Sequence, residues 1–429
     1  MEILVFTNQL SARKQFCFKQ ICNRILGLQV GFTTKIEEFI AYQGIKFSYA
    51  KKPLGQELFV EAYGLLDEEG FGDFDIKVDN WDETPCFFRV SKESSIPFDI
   101  FSASFYLLTR YEEYLPFVKD QAGGFPVEES TAFEENFLNR PVVDLWAFQF
   151  LEVLKEKYDT VRFPKRKYNL GIFIAVHEAF AFRYKGLLRQ IIGFLNQLIL
   201  GDFHKAWLRI KTQLRLIKDP FNVYDNLVEF AKQENIKMKM FFQLSDFSKV
   251  NRNINHHKSH YQRLIKSMGD YFVTGLLPGE QAIKETNTFK KEKNRWKEIA
   301  KQDLTSVLVK KFPLSFPESY INFEKAFIKE DFSMGYAQKL GFRAGTCTPF
   351  LFYNLNTEET TPLRITPYVL NSEIFSTTSE NEIATQLQQI KKDVSSVNGS
   401  LNLIFENTDF VENRAEKIYK LITQINAKD

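Results

Sequence analysis

Leu170-Gly171-Ile172-Phe173-Ile174-Ala175-Val176 is an unbroken apolar run that closely follows the short basic segment Phe163-Pro164-Lys165-Arg166-Lys167. Continuous apolarity without polar alternation is what a strand covered on both faces requires, as in a parallel sheet. The charged, proline-containing segment before it marks a domain boundary. The chain is therefore expected to divide into an N-terminal α/β domain, residues 1–165, and a second domain, residues 166–429.

Beyond this strand, apolar runs alternate with longer helical patterns. Residues 187–200, 206–216, 260–268, 289–300 and 383–394 have helical periodicity, whereas 239–244, 271–277 and 401–405 read as strands. Repeated strand-then-helix units point to a parallel (β/α) barrel or a doubly wound sheet. The N-terminal part is also α/β. Residues 3–6 read as a strand, Ser11 as an N-cap, 17–26 as a helical stripe, Gly27 as its C-terminal cap and 28–32 as a second strand. Residues 86–90 are a further strand candidate. Asp99 precedes an aromatic helix expected to run through Phe101, Phe105, Leu108, Tyr111 and Leu115 to Pro116, and another helix follows Pro141.

Composition excludes several classes of function. With 56 Lys+Arg against 54 Asp+Glu the net charge is +2, which argues against nucleic-acid binding through bulk charge. Four cysteines in 429 residues make no disulfide framework, and no pair has zinc-ligand spacing. The N-terminal MEILVFTNQL lacks the pattern of a signal peptide, and 187–200 is interrupted by Arg189, Gln190, Asn196 and Gln197, so it reads as an amphipathic helix and not a membrane span. These features lead to the expectation of a cytoplasmic protein. The 44 Phe are either a sugar-facing aromatic surface or a compositional bias filling the core.

Three stretches could carry chemistry. Asn255-His256-His257-Lys258-Ser259-His260 holds three of the five histidines, and His256 and His260 would share a helix face and could bind zinc. The competing reading places them at a helix entrance behind an exposed polar loop, 249–255. The basic run 289–295 contains Glu292 and reads as a solvated helix face. Gly341-Phe342-Arg343-Ala344-Gly345-Thr346-Cys347-Thr348-Pro349-Phe350 could hold a guanidinium over a cleft to accept a carboxylate, or be a tight turn whose Arg343 braces carbonyls.

The stretch 98–114, FDIFSASFYLLTRYEEY, together with 331–336 and 341–350, resembles a bacterial family of Bacteroidetes-type organisms. Its members join an N-terminal domain of unknown function to a polysaccharide deacetylase-like domain. The resemblance covers nearly the whole chain and implies a distorted (β/α) barrel for the second half. It also implies metal-assisted hydrolysis of a sugar N-acetyl group, with zinc held by one Asp and two His and a second Asp as base.

Carried over residue by residue, that machinery is incomplete. The base position is Ala175 and the metal-Asp position His177, the metal-histidine motif falls on Leu277-Pro278-Gly279-Glu280, and the supporting histidine position is Glu406. The resemblance thus implies a catalytically degenerate protein with no metal, binding a glycan through Phe182, Phe342, Phe350 and Tyr353, with Phe180 also near the barrel mouth. The alternative is an active hydrolase in which Glu178 or Glu406 is the acid or base, Arg343 the oxyanion stabiliser and His177 a participant. In either case Arg343 is expected to pair with Glu406 or Glu178, because a buried guanidinium without a carboxylate is costly.

Overall fold

The computed structural model describes residues 1–121, 123–248 and 250–427; Lys249, which opens the polar stretch 249–255, lies outside them. The chain divides into two compact units. The first comprises Met1–Asn169, Pro313–Glu324 and Lys329–Leu401, and the second Leu170–Phe312, Lys325–Ile328 and the segment from Asn402.

The first unit opens with β1 (Glu2–Phe6), α1 (Ala12–Phe18), β2 (Gln29–Thr33), α2 (Ile36–Ala41), β3 (Ile45–Ala50) and β4 (Phe59–Glu61). The strands form a parallel sheet in the order β2-β1-β3-β4. Ser11 caps α1 by accepting the Lys14 N–H, and the helix widens into a π turn, Lys19–Ile25, that keeps Cys17, Ile21, Cys22 and Ile25 buried. Gly27, at φ +69°, ends it in the left-handed region that glycine tolerates.

The strand expected at 86–90 is instead a short hairpin of β5 (Asp79–Trp81) and β6 (Thr84–Cys86), ended where Phe88 takes φ +63°. Asp99 caps α3 (Ile100–Leu108), accepting the N–H groups of Phe101 and Ser102. This helix stops at Leu108, short of Leu115. Arg110 adopts φ +53° and a 3-10 turn, Tyr111–Tyr114, follows, because the buried Arg110 guanidinium pairs with both Glu112 and Glu113 just ahead of it. After α4 (Thr131–Glu134), α5 (Val142–Lys157) buries Val143, Trp146, Phe150 and Leu154. Phe18, Phe47, Phe101 and Phe150 lie ring against ring, with Phe18 and Phe101 at 3.9 Å and Phe47 and Phe150 at 5.3 Å between centroids. Here the abundant phenylalanines fill a core.

The second unit begins with β7 (Asn169–Val176), the strand read from the sequence, followed by α6 (Leu187–Ile199), α7 (Phe203–Gln213) and α8 (Tyr224–Gln233). Then come β8 (Lys237–Gln243), α9 (Ser259–Gly269), β9 (Val273–Leu277), α10 (Glu280–Lys284), α11 (Thr286–Ala300) and β10 (Ser306–Val307). β7, β8, β9 and β10 are parallel neighbours.

Returning to the first unit, the chain forms α12 (Glu318–Lys325), β11 (Glu330–Met334), β12 (Phe350–Asn354), β13 (Glu359–Pro367), β14 (Leu370–Asn371) and α13 (Glu380–Ser396). Asp331 to Met334, part of the stretch that carries the resemblance, lie in β11. β13 runs parallel to β11 and antiparallel to β12. The strand order of the second unit is β10-β9-β8-β7-β15, where β15 is Ser400–Glu406, and α14 (Glu412–Asn426) follows. The architecture is mixed α/β with parallel strands, as expected from the sequence.

Candidate functional site

In parallel α/β sheets, ligands meet the carboxyl ends of the strands. In the second unit His177 directly follows β7, Gln243 ends β8, Leu277 ends β9, Lys310 lies just after β10 and Glu406 ends β15. Gln243 pairs with Leu277, and Val176 with Phe242, so His177 continues onto the row of Gln243 and Leu277. Ala175, opposite Phe241, lies two residues further back on the same face as His177.

Charges converge on this edge. Glu406 Oε1 lies 3.1 Å from Lys310 Nζ, whose side chain is 1% exposed, and 3.3 Å from His177 Nδ1. Burial alone would raise the Glu406 carboxyl, but His177, Lys310 and Lys311 outweigh it and hold the group well below the usual carboxylate range. Burial lowers the His177 imidazole, against the opposing pull of Glu406. Although His177 Nδ1 is close to Glu406, its orientation forms no hydrogen bond, and the atom is buried without a partner. Gln243 Oε1, Ser245 Oγ and Asn407 Oδ1 are likewise buried and unpartnered. Unsatisfied polar atoms therefore gather at the ends of β7, β8 and β15, where buried polar groups are ordinarily bonded.

The loop after β7 is fixed from outside this row. Asp219 accepts the N–H groups of Ala181, Phe182 and Arg183 at 2.7 to 2.9 Å. Asn407 Nδ2 donates to the Glu178 carbonyl at 3.0 Å, and the Glu178 carboxylate is paired with Lys185 at 2.6 Å. Phe180 and Phe182 are buried, with the Arg209 guanidinium 4.7 Å from the Phe182 ring.

A zinc ion, which the resemblance implies for this fold, does not fit these side chains. Zinc sites take at least three protein ligands. Here two donors, His177 and Glu406, share their space with the Lys310 ammonium. Among the described residues no three His, Cys, Asp or Glu side chains come together as a ligand group. The histidine pairing considered for 255–260 is not realised, because α9 starts at Ser259 and His256 precedes it. Burial, with Arg295 next, pushes His256 down to about 4. His260 stacks on Tyr184 at 4.1 Å. In the preceding stretch Val250, Arg252 and Asn255 are exposed, as expected of a loop, but Asn251 and Asn253 are buried. Asn251 accepts from Gln243 at 2.9 Å, and Asn253 donates to the Gln243 carbonyl and accepts from the Ala179 N–H.

The face expected to be solvated at 289–295 is so at Lys290, Lys291 and Asn294, which are exposed, but not throughout. Within α11, Glu292 and Arg295 are buried and line a cavity of about 430 Å³ with Ser245 and Asn251. Glu292 accepts the Gly279 N–H at 3.1 Å, and burial pushes its carboxyl up to about 7. Arg295 donates to the Leu244 carbonyl and to Asp246.

Arg343 belongs to the first unit, and the partner expected for it is wrong. Its Nε and Nη2 make a bidentate pair with Glu113, at 2.8 and 2.6 Å, and not with Glu406 or Glu178. Arg110 shares Glu113 Oε1 and donates to the Arg343 carbonyl. Burial would raise Glu113, but the two guanidinium groups reverse the shift and hold it low. The rest of the 341–350 loop is gripped by Asp144, which accepts from Thr346 Oγ1 at 2.6 Å, the Cys347 N–H at 2.9 Å, Thr348 Oγ1 and Arg166 at 3.1 Å. At Gly341, φ +145°, a Cβ would lie 2.5 Å from the Leu138 carbonyl oxygen. This glycine-arginine loop is a braced turn. Phe342, Phe350 and Tyr353 are buried. Tyr353 packs against Phe16 and Phe105 and donates to Glu358, so these rings offer no open stacking face.

Sequence reasoning missed Lys310, Gln243, Glu113 and Asp144. Lys310-Lys311 directly after the apolar Val307-Leu308-Val309 was a signal, hidden because β10 is only two residues long. Glu113 was hidden within an assumed continuous helix.

Residues 3–159 match a family of unknown function, DUF7033. No curated relative matches the chain. Among solved structures, the chain is similar to a Mycobacterium smegmatis protein assigned as a polysaccharide deacetylase, at 10% identity and TM-score 0.38, covering 63% of this chain and 87% of that one. It is also similar to a polysaccharide deacetylase from Bacillus cereus, at 8% identity and TM-score 0.28, over 61% and 86%. A CE4 family pseudoenzyme from Bacillus anthracis is similar at 8% identity and TM-score 0.31, over 61% of each chain. None of the three exceeds 10% identity or a TM-score of 0.38, so the reading of this chain rests on its own side chains.

Proposed function

We propose that this protein is a polysaccharide deacetylase-like protein of the distorted (β/α) barrel type that has lost catalysis and acts as a carbohydrate-binding or scaffold protein in cell-surface polysaccharide metabolism, on the cytoplasmic side. The observation that carries the reading is the Glu406–Lys310 pair beside His177. Where the resemblance calls for a metal ligand and a supporting histidine, a cation already neutralises the remaining carboxylate. Ala175 and Leu277 supply no proton acceptor or ligand at the neighbouring strand ends. What remains along that edge is a set of buried polar atoms without hydrogen-bond partners, on Gln243, Ser245, Asn407 and His177, which suits sugar hydroxyls. The hydrolytic alternative requires Arg343 as oxyanion stabiliser, and Glu113 already engages the Nε/Nη2 edge of its guanidinium.

The test is calorimetric titration of the full chain with a panel of N-acetylglucosamine oligomers and uronic-acid oligosaccharides, alongside metal analysis and acetate-release assays with added zinc. The expected result is binding of one glycan class, weakened about tenfold by Asn407→Ala, as befits the loss of a buried polar contact, with no acetate release. Stoichiometric zinc together with acetate release, both lost in His177→Ala, would establish the hydrolase instead. Failure to bind any glycan in the panel would remove the carbohydrate role.

A further inference from the structure

The α6–α7 hairpin is built the wrong way round for a soluble protein. A surface helix ordinarily turns its apolar stripe inward, yet α6 has no buried residue. Leu187 is 84% exposed, Ile199 81%, Leu200 80% and Trp207 57%, and Ile191, Ile192, Leu195 and Phe203 are exposed beside them. The polar groups instead lie between the two helices. Arg209 of α7 donates to Gln190 Oε1 at 2.8 Å and to Gln197 Oε1 at 2.9 Å, crossing α6 at Gly193, where a Cβ would come within 2.6 Å of the guanidinium. The hairpin is anchored at its base, since Gln213 donates to the Phe182 carbonyl at 3.0 Å and Arg183 to the Thr212 carbonyl at 3.3 Å. An apolar surface of this extent, held out by a polar seam, marks an interaction site.

Charge selects the occupant. Residues 183–218 carry eight Lys and Arg, at 183, 185, 189, 205, 209, 211, 215 and 218, against the single acidic Asp202, which is paired with Lys205 at 2.8 Å. The whole chain is only +2, so the basic charge is concentrated here. The hairpin of a second copy would bring like charge against it, whereas an anionic surface is attracted. Length sets the depth of insertion. The 13 residues of α6 span roughly 20 Å at about 1.5 Å per residue, short of the ~30 Å hydrocarbon core. Among the described residues no helix is long and apolar enough to cross a membrane. An amphipathic basic element of this length lies in the interface, with its apolar side chains below the headgroups.

The geometry points to the α6–α7 hairpin as a membrane-docking element that lies in the headgroup region of an anionic lipid bilayer. The experiment is flotation of the full chain with vesicles of phosphatidylcholine alone or mixed equally with phosphatidylglycerol. The chain is expected to float with the anionic vesicles and to dissociate as salt is raised. The double variant Ile199→Glu/Leu200→Glu, which alters only exposed side chains, is expected to weaken vesicle binding about tenfold or more, the equivalent of losing one or two buried apolar side chains. Lys205→Glu/Lys211→Glu is expected to weaken binding to anionic vesicles by a similar factor at unchanged thermal midpoint, which keeps the test independent of folding. Absence of flotation, equal flotation in both variants, or equal binding to neutral vesicles overturns the proposal, as does self-association of the wild type that both variants abolish without any vesicle binding.

Discussion

Replacing Glu406 removes the carboxylate that lies 3.1 Å from a nearly fully buried ammonium on Lys310. Breaking one half of a buried pair leaves the other charge desolvated, at a cost of about 3 kcal/mol or more. Glu406→Ala is therefore expected to lower the urea midpoint of the full chain by a correspondingly large margin. The pH dependence follows from the sign of the shift. A carboxyl held low in the folded state contributes stability that is complete above its unfolded value of about 4.3 and is lost as pH falls below it. The acid limb of the stability profile should flatten in Glu406→Gln. Glu292 has the opposite sign. Its folded value, pushed up to about 7, lies above the unfolded one, so its contribution to stability declines as pH rises through the interval between them and levels off above about 7. Glu292→Gln keeps an acceptor for the Gly279 N–H. The thermal midpoint of the variant should gain on the wild type across that interval, and an unchanged difference would show that Glu292 titrates normally.

At the scale of elements, the 341–350 loop depends on one side chain of α5. Asp144 is fully buried and takes four hydrogen bonds from Thr346, Cys347, Thr348 and Arg166. Asp144→Ala orphans these donors at once and is expected to cost about 4 kcal/mol, read as a lower thermal midpoint and as rapid hydrogen exchange at the Cys347 amide. The same loop shows why local reading had limits. Two glycines around an arginine describe a turn as well as they describe a binding loop, and only the position of Glu113 decides between them. α3 teaches a related lesson, since its aromatic periodicity continues to Leu115 while the Arg110 ion pairs end the helix at Leu108. β13 was legible and overlooked. Thr361, Leu363 and Ile365 are buried between the exposed Thr360, Pro362 and Arg364, the alternation of a strand covered on one face.

At the scale of the molecule, the first unit is discontinuous, because Lys329–Leu401 clusters with Met1–Asn169. A fragment of residues 1–165 would lack Glu358 opposite Arg13, Arg343 opposite Glu113, and the Thr346–Thr348 partners of Asp144. Expressed alone, it is expected to show poor amide dispersion and no cooperative melting, and a sharply melting fragment would contradict this. The sequence by itself determined the α/β alternation, the continuous strand at 170–176, the capping of the first helix by Ser11 and the start of a helix after Asp99. These follow from periodicity, local hydrogen-bonding chemistry and residue identity, which act over a few neighbours. Only the tertiary structure decided that Arg343 belongs to Glu113, that Glu406 belongs to Lys310, that Glu292 is buried, and that the apolar faces of α6 and α7 point outward. Each of these depends on burial and on partners far away in the chain, and a charge's cost and an apolar stripe's direction are both set by what the fold brings against them.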